Sequence, residues 1–78
     1  DHKFEPAIVK VPVGVKVLLI VDNQDETVEE FESFSLNREK IVRGGKSIKV
    51  FLPPLKAGEY EFIGEFNQET AKGKVVAE

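Results

Sequence analysis

The side chains of this sequence that could do chemistry gather in two short stretches, Glu29-Glu30-Phe31-Glu32 and Glu65-Phe66-Asn67-Gln68-Glu69, with a single imidazole at His2. Carboxylates with one imidazole form a hard, oxygen-rich donor set, which suits iron or manganese better than Cu(I). Glu29 is the leading candidate ligand. It shares a strand face with Phe31 and is therefore aimed at the open end of the core, where an ionised carboxylate needs a cation or several donors. That partner is either a metal ion or an internal cation, Arg38 or Lys40. Glu30 and Glu32 lie on the opposite face. There they could hold a hard cation between them or remain solvated, and an ion pair of Glu32 with Arg38 or Lys40 would be worth only ~0 to 1 kcal/mol. His2 and Glu65 complete the candidate metal set, since imidazole suits first-row metals. Asn67 and Glu69 offer further oxygen donors, or the turn and cap hydrogen bonds that such residues routinely make.

Other chemistries are excluded by what is missing. There is no cysteine, so no thiolate-ligated copper centre can form. Ser33, Ser35, Ser47, Thr27 and Thr70 have no base arranged to activate them, so no hydrolase constellation exists and no catalytic residue is assigned. Gly44-Gly45-Lys46 has neither the spacing nor the following helix that phosphate binding requires, and reads as a hairpin turn.

Strands must position these residues. Val, Ile and Phe dominate the apolar residues and Pro or Gly interrupts them at short intervals, which leaves no stretch for a long helix. The expected strands are 7–11, 15–21, 29–34, 46–52, one around Tyr60 and Phe62, and 73–77. Val15, Val17, Leu19 and Val21 share one face, as do Ile48, Val50 and Leu52. Residues 35–45 read as a long connection and 64–71 as a loop. Strands with one apolar face each call for two packed antiparallel sheets.

With 78 residues the chain has room for one core, so 1–78 is read as a single domain. Below roughly 70 to 80 residues such a core supplies only about 3 to 5 kcal/mol. The net charge of −3, from 11 basic and 14 acidic residues intermixed, argues against nucleic acid as a partner. No apolar run approaches the ~20 residues needed to cross a bilayer. The opening at Asp1, without Met, reads as a mature or trimmed form.

Phe4-x-Pro6, Val11-Pro12-x-Gly14, Asn23-x-Asp25, Leu55-Lys56-x-Gly58-x-Tyr60-x-Phe62 and Gly73 together resemble a cupredoxin-type domain over nearly the whole chain. Glu29-Glu30-Phe31-Glu32-Ser33, Leu36-x-Arg38-Glu39-Lys40, Gly64-Glu65-Phe66 and Thr70-Ala71-x-Gly73 carry a narrower resemblance, to the cupredoxin-like domains of bacterial periplasmic iron-uptake systems. The resemblance implies an all-β, Greek-key sandwich of six to seven strands and a periplasmic or exported location. It implies a divalent metal, iron, manganese or copper, and an iron permease or other transport component as partner. It also implies where type 1 copper ligands would stand: the imidazoles at Glu29 and near Asn67 or Gln68, the thiolate at Gly64, the thioether near Ala71. None of these residues is a copper ligand of that kind, so blue-copper electron transfer is excluded.

The expected function is therefore presentation of a divalent metal to a transport system, through Glu29 with His2 and Glu65. The alternative is a metal-free β-sandwich interaction module in which Glu29 pairs internally. Cupredoxin sandwiches usually begin with a strand ahead of the Phe-x-Pro segment, and here only three residues precede Phe4. The edge left open by a missing first strand would then pair with another copy, giving a homodimer.

Overall fold

Alternation of apolar and polar residues gives each strand one face to bury, and the way those faces are shared decides the architecture. A computed structural model describes residues 2–78. Its strands are β1 (Ile8–Val11), β2 (Val17–Asp22), β3 (Glu29–Ser33), β4 (Arg38–Val42), β5 (Ser47–Leu52), β6 (Gly58–Gly64) and β7 (Lys72–Ala77). Five of them form one sheet in the order β1-β7-β6-β3-β4, and β2 and β5 form the other. β1 runs parallel to β7, and every other pairing is antiparallel. The expected all-β sandwich is the fold observed.

The core lies between the two sheets. Val17, Leu19 and Val21 from β2 and Ile48, Val50 and Leu52 from β5 face Phe31, Phe62 and Val75 of the larger sheet. Phe4 meets this core edge-on, its ring 4.9 Å from Phe62 and 6.1 Å from Phe31, arrangements that add to simple burial. Gly73 permits this packing. A β-carbon there would fall 2.9 Å from the Phe62 ring and against the carbonyl oxygen of Ala7, beside the Lys74 N–H to Ala7 bond that starts the β1–β7 ladder.

Two expectations are corrected. Residues 35–45 are not one long connection, because β4 lies within them and pairs along its whole length with β3. The strand is hard to see in the sequence because it is an edge strand: of its five residues only Val42 is buried, and its Arg38 and Lys40 reach sideways to β5. Gly44-Gly45 does not close a hairpin either. It turns the chain from β4 in one sheet to β5 in the other, with Gly45 at φ +72° and a Lys46 N–H to Arg43 carbonyl bond. The 64–71 loop holds a short 3-10 turn, Glu65–Asn67. No helix among the described residues is long and apolar enough to cross a membrane.

Removing the Phe62 ring should test where the stability resides. Phe62→Ala is expected to cost about 3–5 kcal/mol, as large as the whole stability of a core this small. Urea unfolding monitored by circular dichroism should find the variant largely unfolded without denaturant, whereas Phe34→Ala, at an 84% exposed position, should leave the midpoint nearly unchanged.

Candidate functional site

β3 distributes its acidic residues by strand parity. Phe31 and Ser33 point inward and are buried, so Glu29 belongs to the inner face, and Glu30 and Glu32 to the outer one. The strand thus builds two acidic places, one at the pole of the sandwich and one on the outside of the larger sheet.

At the pole, Glu29 is held by protein donors. Its Oε1 accepts the backbone N–H of Phe66 at 2.8 Å and that of Glu30 at 2.9 Å, and its Oε2 accepts the Asn67 side-chain amide at 2.6 Å. The 3-10 turn after β6 delivers two of these donors. Gly64 makes the space: a β-carbon there would stand 2.7 Å from the Glu29 carboxyl carbon and 2.8 Å from the Ala71 β-carbon. Glu29, Gly64, Asn67 and Ala71 therefore converge, and they are the positions that the family resemblance assigns to copper ligands. Type 1 copper does not fit them. The set offers neither thiolate nor imidazole, and its two polar members are bonded to each other.

Arg38 and Lys40 are not partners of Glu29, nor of Glu32. The Arg38 guanidinium donates to the carbonyls of Phe51, Leu36 and Asn37, and the Lys40 ammonium donates to the carbonyl of Lys49. His2 lines the same open groove of about 930 Å³ as Glu29. Its own contacts go to Asp25: the backbone N–H donates to Oδ2 at 3.1 Å, and Nδ1 lies 3.5 Å from the same oxygen. Asn23, prominent in the sequence motif, is a scaffold residue. Its amide donates to the carbonyls of Thr27 and Val42 and its Oδ1 accepts from the N–H of Asp25, which fastens the β2–β3 loop.

On the outer face, Glu30 and Glu32 are joined by Glu39, which the β3–β4 register sets directly opposite Glu32. Ligand oxygens of these three carboxyls lie within 4.8 Å of one another. Glu65, at the start of the 3-10 turn, belongs to this group and shares a hydrogen bond with Glu32, whose carboxyl is pushed up to about 7. Partial loss of water and the charges of Glu65, Glu39 and Glu30 add to that rise. Glu30 is raised as well, first by a hydrogen bond shared with Glu39. Like charges facing across a sheet are destabilising. The ion pairs among the described residues lie elsewhere, at Lys10–Glu78 and Lys74–Glu59. Glu39 was not legible as a site residue because the strand that positions it was not. Had β4 been recognised, period-two alternation from Val42 would have placed Glu39 and Ile41 on its outer face.

A family model described as a cupredoxin-like domain matches residues 1–77. The chain is 54% identical over 76 residues to an uncharacterized protein of Rickettsia prowazekii (strain Madrid E), covering 97% of this chain and 61% of the relative. It thus spans less than two thirds of that protein. Among solved structures it is similar to a reduced tryptophan-to-tyrosine mutant of amicyanin, with TM-score 0.74, 21% identity and coverage of 97% of this chain and 73% of that one. A purple cupredoxin from Nitrosopumilus maritimus is similar at TM-score 0.69 and 17% identity, covering 95% and 80%. At these identities the likeness is one of fold.

The crowded carboxyls should show themselves in the pH dependence of stability. Glu32 holds its proton up to about pH 7 when folded, against an ordinary value of 4.5. The stabilisation of the protonated form is complete below 4.5 and is lost as pH rises through 7, because the unfolded chain gives up that proton earlier. Glu32→Gln removes the effect. Its melting temperature should rise relative to wild type between pH 4.5 and roughly pH 8 and then level off. A difference that stays flat over that range would contradict the assignment.

Proposed function

The chain belongs to the cupredoxin-like family, and from that premise we propose that it is a periplasmic domain that binds a hard divalent cation, iron first, and presents it to a membrane transport system. The observation that carries this reading is the outer acidic group, Glu30, Glu32 and Glu39, with its oxygens within 4.8 Å and Glu65 beside it. A divalent cation there would take the place of the protons that Glu30 shares with Glu39 and Glu32 with Glu65, and would offset the charge crowding that adds to their rise. Oxygen donors of this kind select Fe(II) or Mn(II) over Cu(I). A similar solved structure is described as the Cu(I) form of a methionine-to-alanine mutant of amicyanin, so metal carriage occurs on this fold. Here the donors differ, and with them the metal.

A half-exposed site of carboxylates binds weakly and releases readily, which suits handing a cation on rather than retaining it. The narrower resemblance, carried by Glu29-Glu30-Phe31-Glu32-Ser33 and Arg38-Glu39-Lys40, supports iron uptake as the setting and an iron permease as the recipient. Redox chemistry is no part of the proposal. One observation favours the second reading, a metal-free interaction module: Glu29, at the pole where the sequence resemblance places copper ligands, is occupied by internal donors.

Calorimetric titration separates the two. Fe(II), kept anaerobic, and Mn(II) should each give saturable heat with the wild-type chain, and Glu32→Gln or Glu39→Gln should weaken binding by about tenfold or more, as losing one charged ligand implies. Glu29→Gln should bind nearly as wild type. No heat with either metal would leave the interaction module as the function, and loss of binding in Glu29→Gln alone would move the site to the pole.

A further inference from the structure

The two sheets turn opposite charges to the outside. The outer face of the larger sheet carries the carboxyls of Glu30, Glu32 and Glu39. On the smaller sheet Val17, Leu19, Val21, Ile48, Val50 and Leu52 face the core, so parity sends Leu18, Ile20 and Asp22 of β2 and Ser47, Lys49 and Phe51 of β5 outward. Lys16, exposed and one residue ahead of β2, continues the parity of Leu18 and Ile20. Asp22, at the far end, is already engaged: its carboxylate accepts the Ser47 hydroxyl at 2.9 Å and the Gln24 amide at 3.1 Å.

This face is apolar in the middle and basic around it. Leu18 and Ile20 are 46% and 54% exposed, and Phe51, opposite Leu18 in the pairing, is 65% exposed. Lys49 stands opposite Ile20, and Lys40 and Arg38 reach the margin of the face at the Lys49 and Phe51 carbonyls. Grouped apolar side chains rimmed by charge mark an interaction surface. Both edges of the sheet lie at right angles to this face, so a strand added beside β2 would widen it and leave its side chains outward.

The kind of cation decides between partners. Arg38 is the one group here whose planar fork could grip a carboxylate at two points, and it is spent on the carbonyls of Phe51, Leu36 and Asn37. What remains are lysines, point charges on flexible stems. They suit phosphates spread over a plane better than one fixed carboxylate, and side chains standing off a sheet face likewise meet a plane. An anionic lipid surface offers both halves of the match, phosphates for the ammonium groups and an apolar boundary beneath them for the rings and branched chains.

We propose that the outer face of the smaller sheet docks on an anionic lipid surface, with Leu18, Ile20 and Phe51 entering the boundary between headgroups and acyl chains and Lys16 and Lys49 meeting the phosphates. The same surface repels the acidic group on the opposite sheet, so charge alone turns the smaller sheet toward the lipid. Docking in this way requires no cation on the larger sheet.

Co-sedimentation of the 78-residue chain with vesicles tests it. At low ionic strength the chain should pellet with vesicles of equal parts phosphatidylglycerol and phosphatidylcholine, remain in solution with phosphatidylcholine alone, and leave the anionic vesicles as salt is added. Lys49→Glu should weaken binding by about tenfold or more by reversing one charge at the surface, and Phe51→Ser by about tenfold through lost insertion. Both positions are exposed, and circular dichroism should find both variants folded. Lys72→Glu makes the same charge change on the outer face of the larger sheet and should bind within about twofold of wild type. Failure to pellet with the anionic vesicles would overturn the proposal. So would a Lys72→Glu variant as weak as Lys49→Glu, which would reduce the effect to net charge, or binding of polyglutamate in place of vesicles, which would give the face to an acidic protein.

Discussion

Glu29 cannot leave the end of β3 without stranding donors at the pole of the sandwich. Two backbone N–H groups and the Asn67 amide converge on its carboxylate, in the space that Gly64 leaves by having no side chain. Hydrogen bonds to a charged group contribute about 1.5–3 kcal/mol each, and leaving a donor unpaired costs a similar amount. In a domain with a core this small, such a knot is a large part of what holds the loop after β6 against the end of β3. It also binds that loop to one geometry: the 3-10 turn that presents the Phe66 N–H inward carries Glu65 outward, to the carboxyls of the opposite face.

The two acidic places on β3 follow from a single parity. If Phe31 is buried, Glu29 must lie on its side and Glu30 and Glu32 on the other. The pairing with β4 then determines the rest, because Glu32 opposite Glu39 is a like-charge pair that the register imposes and the nearby cations do not relieve. Arg38 and Lys40 are spent on the carbonyls of β5, where they close a sheet edge and tie the two sheets together. The charge crowding outside and the closed seam between the sheets are thus consequences of the same strand.

Most of the fold was legible because most of it alternates. β2 and β5 read directly from Val17, Leu19, Val21 and from Ile48, Val50, Leu52, and the inward pairing of Tyr60 with Phe62 marked β6. β4 was not legible. An edge strand with one buried residue has no period to detect, and its charged side chains look like a solvated connection. The candidate site inherits both outcomes. Glu29, Glu30, Glu32 and Glu65 could be selected by residue type and strand parity, while Glu39 was lost with its strand. The Asn67 amide as the partner of Glu29 depends on how a 3-10 turn folds back over β3, a contact between residues 38 apart that no local pattern announces.

Cupredoxin strands depend on apolar alternation, and the ligands of a copper centre depend on a few loop positions, so one can be lost while the other persists. A glycine where the thiolate would stand opens the volume that a glutamate fills, and an asparagine where an imidazole would stand supplies the donor that the glutamate needs. Each change makes sense only with the other two. A copper-ligating set is kept together by its metal, whereas this set is kept together by hydrogen bonds to Glu29, in the space that Gly64 leaves.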